Sequence, residues 1–217
     1  MKIIFIPFII LTLTACSNFP TNNVAGGYIQ AYLAINDYLF PMEAKELYSR
    51  EQIDNIPYAS MLLSIGESSP GLIILETANN NNLTWVSADS VYIVLKHGRI
   101  IKVQGLGNNL TGYKSSIYDF AVDEDLTFKS YYSYDSPELN DLEVINRLSY
   151  KGLRTVNLFI GKKPLYLFEE TIVNDYLGWK KTNFYWVDKE GFVWKSIQHV
   201  SPKLPSIQYE VTKKPVM

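Results

Sequence analysis

The sequence predicts a mainly β protein, an antiparallel meander that forms a sandwich or a partly closed barrel, with one N-terminal helix. Beyond residue 58 the chain consists of short runs rich in Val, Ile, Tyr, Phe and Trp, which are the residue types that favour strands. Gly, Asn, Pro and Asp separate these runs, as in tight turns. A single flat sheet with both faces in water buries no core, so the strands must form two layers or close on themselves.

The first sixteen residues have the organisation of an export signal. Lys2 precedes an apolar run over residues 3–11, which is too short for a stable membrane span. Leu13-Thr14-Ala15-Cys16 matches a lipobox, and Cys16 is the only cysteine. We expect cleavage before Cys16, a diacylglyceryl thioether on its sulfur and a further acyl chain, such as palmitate, on the new amino terminus. An ordinary signal peptide with an accidental cysteine is the alternative.

The lipidated cysteine divides the chain into three parts. Residues 1–15 are the predicted signal peptide, residues 16–23 a polar lipidated tether, and residues 24–217 a single mostly β periplasmic domain. The mature chain has 217 − 15 = 202 residues, enough for one sizeable core. Ser17 stands where an aspartate typically retains lipoproteins at the inner membrane. The sequence therefore favours a lipid-anchored position on the periplasmic face of the outer membrane.

Two helical elements are expected before the strands. Apolar residues at helical spacing predict a helix over residues 24–40, which Pro41 ends. Ser49 and Gln52 have the spacing of a capping box, and the short turn that they begin should end before Pro57.

The strands form the larger part of the predicted domain. His97-Gly98 is expected to connect two of them through a tight turn in which the glycine has a positive φ. The segment 113–150 looks less regular, with an acidic cluster and a loop around Asp135-Ser136-Pro137. Strands are predicted over residues 59–65, 71–77, 83–86, 91–96, 99–104, 155–160, 164–174, 184–187, 192–197 and 207–212.

Few residues suggest chemistry. The mature chain carries 20 − 1 = 19 basic and 22 acidic side chains with no basic stripe, which argues against nucleic acid as a partner and against electrostatic binding to a membrane. Neither His97 nor His199 lies in a motif typical of a catalytic triad, and no zinc-ligand spacing occurs. Glu169 and Glu170 should point to opposite faces of a strand, unlike the paired carboxylates of a glycosidase. We therefore predict no catalytic residue, no metal site and no cofactor.

Aromatic residues are the one compositional excess, with 16 Tyr and 4 Trp. Exposed aromatic rings can stack on the apolar C–H faces of sugars. Trp85, Trp186 and Trp194 lie in predicted strands and are expected to fill the core. Trp179, beside Gly178 in a predicted turn, is the candidate for an exposed ring that stacks on a glycan.

Four phrases of the sequence, together with the lipobox, carry a resemblance to a known family. They are Ile56-Pro57-Tyr58-Ala59-Ser60, Leu83-Thr84-Trp85-Val86-Ser87-Ala88-Asp89, Gly98-Arg99-Ile100-Ile101-Lys102-Val103-Gln104-Gly105-Leu106 and Tyr185-Trp186-Val187-Asp188. In order and spacing they resemble the group 4 capsule and exopolysaccharide lipoprotein family, the GfcB/YjbF type. The similarity covers nearly the whole mature chain except residues 113–150. It implies a mostly β periplasmic domain on a lipid anchor, encoded among genes for an extracellular polysaccharide, and it implies no catalytic residues.

The function expected from these features is a non-enzymatic accessory of capsule or exopolysaccharide assembly or export. Its expected partners are the membrane, through the lipid anchor, and either the polysaccharide or other proteins of the export locus. Two alternatives remain: a glycan-modifying enzyme that uses a carboxylate of residues 113–150, and a structural scaffold for an outer-membrane barrel.

Overall fold

The computed structural model describes residues 48–122 and 124–216. The predicted signal peptide, Cys16, the tether and the helix over residues 24–40 lie outside the described residues. Within the described part, no helix is long and apolar enough to cross a bilayer.

In the described part of the chain, one short helix, α1 (Arg50–Asp54), precedes the strands. Its N-cap is Ser49, whose hydroxyl accepts from the Gln52 amide at 3.2 Å, while the Gln52 side chain accepts from the Ser49 amide at 2.8 Å. The predicted capping box is confirmed, and it satisfies two amides that lack partners within the helix.

Twelve strands follow among the residues that the structure describes, and every pairing between them is antiparallel. Their bounds are β1 Ser60–Ile65, β2 Gly71–Asn79, β3 Asn82–Val86, β4 Tyr92–Lys96, β5 Arg99–Gln104, β6 Leu110–Ser115, β7 Leu126–Asp135, β8 Glu138–Leu158, β9 Gly161–Asn174, β10 Trp179–Val187, β11 Val193–Gln198 and β12 Ile207–Lys213.

The strands form one sheet that curls into a nearly closed barrel. Their order is β5-β4-β3-β2-β1-β12-β11-β10-β9-β8-β7-β6. Two meanders, β1 to β5 and β6 to β12, therefore meet where β1 pairs with β12, and Ser60 lies opposite Lys213 there. The edge strands β5 and β6 lie close to each other without joining the hydrogen-bonded ladder. The predicted mainly β fold is confirmed. Of the two predicted arrangements, the barrel is confirmed and the sandwich is wrong.

The segment 113–150 differs from the prediction. Instead of irregular chain, it contains β7 and most of β8, the longest strand at 21 residues. The interior side of these strands includes polar residues: Asn146 and Ser130 are buried, and the Asn146 amide donates to the Ser130 hydroxyl at 2.7 Å. This internal pairing removes the apolar and polar alternation from which a strand is predicted.

Candidate functional site

A buried ion pair crosses the barrel interior. Arg99, the first residue of β5, reaches Glu170 in the middle of β9, and its Nη1 lies 2.6 Å from the Glu170 Oε1. The two side chains are 2% and 1% exposed. Two charges at this depth are tolerated only when each is paired and hydrogen-bonded.

Residues of β10 complete the surroundings of Glu170. Its Oε2 accepts from the Tyr185 hydroxyl at 2.8 Å and from the Asn183 amide at 3.1 Å. Burial, followed by the Glu170 charge, raises the pKa of Tyr185 well above its usual value. Tyr185 therefore stays protonated and donates to the carboxylate.

The Arg99 guanidinium is enclosed by aromatic rings and a loop. Its carbon lies 4.9 Å from the Phe120 ring centre and 5.0 Å from that of Tyr185. Its Nε donates to the Tyr118 carbonyl at 3.3 Å. Burial acts to lower the pKa of Arg99, but Glu170, Tyr185 and then Tyr113 raise it, and the net pKa lies above its usual value. The arginine is thus a permanent cation.

This interior cluster is suited to holding strands together rather than to reacting with a substrate. Its carboxylate already accepts three hydrogen bonds, from Arg99, Asn183 and Tyr185. A general acid or base must instead be able to reach a substrate.

The turn between β4 and β5 is held at one end of the barrel. Gly98 has φ +78°, and its carbonyl accepts from the Tyr209 hydroxyl at 2.7 Å and from the Gln198 amide at 2.9 Å. The Gln198 carbonyl oxygen accepts in turn from the Ile100 amide at 2.9 Å. The first meander is thereby fixed to β11 and β12.

A pocket of about 300 Å³ opens beside this turn, at the mouth of the barrel. Leu83 and Trp85 are two residues apart on β3 and therefore face the same side of the strand. Barrel mouths are common ligand sites, and this volume lies at the lower end of the usual range. The mouth pocket is lined by Asn81, Leu83, Trp85, Leu95, His97, Gly98, Glu190, Gly191, Phe192, Val193, Tyr209, Val211 and Lys214.

The pocket has an apolar floor and a polar rim. Trp85, Tyr209 and Val211 are buried beneath it, whereas Leu83 and Phe192 are half-buried and present accessible apolar surface. The rim carries both charge signs, and the Lys214 ammonium lies 3.1 Å from a Glu190 carboxylate oxygen.

Turn residues complete the other side of the rim. His97 Nδ1 lies 2.6 Å from a carboxylate oxygen of Asp119, and its Nε2 lies 3.4 Å from the Asn81 amide nitrogen. The Asp119 side chain is 84% exposed and that of His97 is 32% exposed. Solvent therefore reaches this pair, and a surface pair of this kind contributes little to stability.

The remaining carboxylates of residues 113–150 that form ion pairs or hydrogen bonds lie on the surface. Asp141 pairs with Lys114, Glu143 with Lys129, and Asp135 accepts from Asn109. Among the described residues, no group of three or more His, Cys, Asp or Glu side chains has a metal-binding arrangement.

The outcome for the tryptophans is mixed. Trp85, Trp186 and Trp194 are 0%, 0% and 6% exposed, so the prediction that they fill the core is confirmed. The predicted exposure of Trp179 is wrong, because this residue begins β10 and not a turn, and its side chain is 3% exposed. Its ring packs edge-on against Tyr132 with centres 5.7 Å apart, and its burial leaves no face free for a sugar.

The predicted opposite orientation of the two glutamates is confirmed, with Glu170 buried and Glu169 only half-buried.

Several important residues were not identified from the sequence. Arg99 lies next to a tight turn, where the sequence gives no sign that its side chain is buried, and its partner Glu170 is 71 residues away. The mouth pocket likewise combines residues from three separate parts of the chain.

Comparison with known proteins gives a family and two relatives. The model of the family described as group 4 capsule polysaccharide lipoprotein, GfcB and YjbF, matches residues 33–211. The chain is 25% identical over 170 residues to the uncharacterized lipoprotein YjbF of Escherichia coli K12, covering 76% of this chain and 79% of that protein. It is 24% identical over 145 residues to the uncharacterized lipoprotein GfcB of the same strain, covering 64% and 67%.

A solved structure shares the fold. The crystal structure of the hypothetical lipoprotein YmcC from Escherichia coli K12 superposes with a TM-score of 0.68 at 20% identity, covering 91% of this chain and all of that one. The barrel architecture and the sequence match over most of the strands agree with the resemblance seen in the sequence. The chain belongs to the group 4 capsule polysaccharide lipoprotein family.

Proposed function

We propose that this protein is a lipid-anchored, non-enzymatic accessory of capsule or exopolysaccharide assembly or export on the periplasmic face of the outer membrane. We further propose that its mouth pocket binds a saccharide unit of the exported polymer. The observation that carries this proposal is the pocket itself, with accessible apolar surface from Leu83 and Phe192 beneath a rim that offers both hydrogen-bond donors and acceptors.

The composition of the pocket matches the chemistry of a sugar ring. A sugar has an apolar C–H face, which suits contact with Leu83 and Phe192, and hydroxyl groups around its edge that both donate and accept hydrogen bonds. Lys214 supplies donors, Glu190 supplies acceptors, and the Asn81 amide supplies both. The family description, which names a capsule polysaccharide, supports a glycan as the ligand.

A measurement of saccharide binding tests this proposal directly. Oligosaccharide fragments of the polymer exported by the same cells would be titrated calorimetrically into the chain from residue 17 onward, which retains every described element. Glu190→Ala combined with Lys214→Ala should weaken binding roughly 30-fold, because it removes two hydrogen bonds that contribute about 1 kcal/mol each. The matched control is Asp175→Ala with Lys180→Ala, an exposed pair at the opposite end of the barrel. It likewise leaves the net charge unchanged, and it should leave the affinity unchanged.

The cellular test is deletion of the gene with its neighbours intact. Surface polysaccharide should fall, and the Glu190→Ala and Lys214→Ala variant should restore it less well than the control pair. Unchanged export after deletion, or equal affinities of the two variants, would contradict the proposal.

A second candidate, a glycan-modifying enzyme, is favoured by one observation. Asp119 belongs to residues 113–150 and contacts His97 at the pocket rim, as an acid and base pair would. Incubation of the protein with the native polymer separates the two candidates: an enzyme shortens the polymer or changes its substitution with turnover, and His97→Gln would abolish that change. A binding protein leaves the polymer unaltered.

A further inference from the structure

The β8–β9 hairpin extends past its neighbours in the sheet. β7 pairs with β8 only as far as Leu148, and β10 pairs with β9 only from Tyr166 onward. The intervening residues 149–165 form a two-stranded ribbon, paired through residues such as Thr155 and Pro164. We call residues 149–165 the ribbon.

Contacts on its inward side hold the ribbon against the barrel. Val156, Leu158 and Leu165 are at most 1% exposed. The Phe159 amide donates to a carboxylate oxygen of Glu210 in β12, and the Lys163 ammonium lies 4.2 Å from the Trp194 ring centre in β11. The ribbon is therefore packed against strands that are not its neighbours in the sheet.

The outward side of the ribbon is exposed and basic with one apolar residue. Cross-strand partners share a face, and Asn157 lies opposite Lys162 while Thr155 lies opposite Pro164. Leu153 is 53% exposed. The exposed residues of this face are Lys151, Leu153, Thr155, Asn157, Lys162 and Pro164.

Acidic residues do not balance this charge within the ribbon. Residues 149–165 include four Lys or Arg side chains and no Asp or Glu. None of the four makes an ion pair with a residue that the structure describes. The Arg154 guanidinium donates instead to the carbonyls of Leu153 and Lys151.

The ribbon lies at the end of the barrel where the described chain enters. The chain passes from α1 into β1 at Ser60, which is opposite Lys213 at the end of β12. Because successive strands run in opposite directions, the ends of β10 and β8 and the starts of β11 and β9 lie at this same end. The chain that leads back to the predicted anchor thus enters β1 at the end where the β8–β9 turn lies.

The overall composition argues against electrostatic membrane binding, but the local charge of this face differs from it, and we propose that the outward side of the ribbon rests on an anionic bilayer surface. Lys151 and Lys162 contact lipid phosphates, and Leu153 between them enters the headgroup region. A lipid anchor alone leaves the orientation of a domain free, whereas a basic surface next to the bilayer is attracted to anionic lipids and fixes it. The barrel then has its mouth pocket at the membrane-proximal end.

Vesicle binding without the lipid anchor tests this docking surface. The chain from residue 17 onward, with Cys16 removed, would be sedimented with phosphatidylglycerol and phosphatidylethanolamine vesicles and with phosphatidylcholine vesicles. We expect binding to the anionic vesicles alone, weakened by salt. Lys151→Gln with Lys162→Gln should reduce binding roughly 10- to 30-fold. Leu153→Ser should reduce it while leaving the salt dependence unchanged.

The control is Lys180→Gln with Lys181→Gln, which changes the net charge equally at the other end of the barrel and should bind as the parent does. Thermal melts of all variants should coincide, because the substituted side chains are exposed. Equal binding of the two lysine pairs, or equal binding to neutral vesicles, would overturn the proposal. Binding to soluble polygalacturonate but not to vesicles would overturn it in favour of an acidic polysaccharide.

Discussion

At the scale of single residues, the turn at Gly98 shows how closely the two meanders are packed. His97 and Gly98 have φ +48° and +78°, so the predicted tight turn with a positive φ at the glycine is confirmed. A Cβ atom placed on Gly98 would lie 2.2 Å from the Val193 Cγ2 and 2.5 Å from its Cβ. Glycine is therefore required twice here, by the backbone conformation and by the contact with β11.

We predict that Gly98→Ala destabilises the protein through both effects. The backbone strain costs about 1–3 kcal/mol, and forcing Val193 to move costs about another 1–3 kcal/mol. Urea denaturation of the chain from residue 17 onward measures the sum.

Gly161→Ala is the matched control, because Gly161 has φ +113° and no atom lies within 4 Å of an added Cβ. This substitution should show the backbone cost alone. Adding Val193→Ala to Gly98→Ala should relieve part of the packing cost. Equal losses for Gly98→Ala and Gly161→Ala would mean that the contact with Val193 is unimportant.

At the scale of secondary-structure elements, the Arg99–Glu170 pair links β5 at one edge of the sheet to β9 near the other edge. β5 gains no ladder hydrogen bonds from β6. The buried pair and its tyrosine therefore compensate in part for a missing strand pairing across the gap.

We predict that the two charges are strongly coupled. Glu170→Leu should cost about 3–5 kcal/mol, because it leaves the Arg99 cation buried without its carboxylate. Arg99→Met combined with Glu170→Leu should cost much less than the sum of the single changes. Urea melts of the three variants give the coupling, and additive losses would exclude it.

The residue patterns of individual strands explain how much of the fold could be predicted from the sequence. The first meander was predicted closely because Ile93 and Leu95 alternate with half-buried residues, and glycine marks the turn after Lys96. β7 and β8 were missed because Ser130 and Asn146 satisfy each other inside the barrel. The mouth pocket and the ion pair depend on closure of the sheet, which no local pattern specifies.

At the scale of the whole molecule, the predicted lipid anchor on Cys16 would determine where the barrel acts. We predict that Cys16→Ser abolishes labelling with palmitate and leaves an uncleaved precursor, because the lipoprotein peptidase acts on the acylated cysteine. Labelling and precursor size on a gel measure both effects.

Ser17→Asp is the control for this experiment. It should still be labelled and cleaved, but it should fractionate with the inner membrane instead of the outer membrane. Normal processing of the Cys16→Ser variant would show that the chain is not a lipoprotein.

The pairing of β1 with β12 also governs the order in which the protein is completed. The hydroxyls of Ser60 and Thr212 lie 2.9 Å apart although 152 residues separate them along the chain, whereas the other strand pairings join consecutive strands. In the predicted export the chain emerges N-terminus first, so each meander can form as its hairpins emerge, but β1 keeps an unpaired edge until the last strand arrives. Such an edge can pair with other chains, so we expect this protein to be most exposed to aggregation in the interval between the emergence of β1 and that of β12.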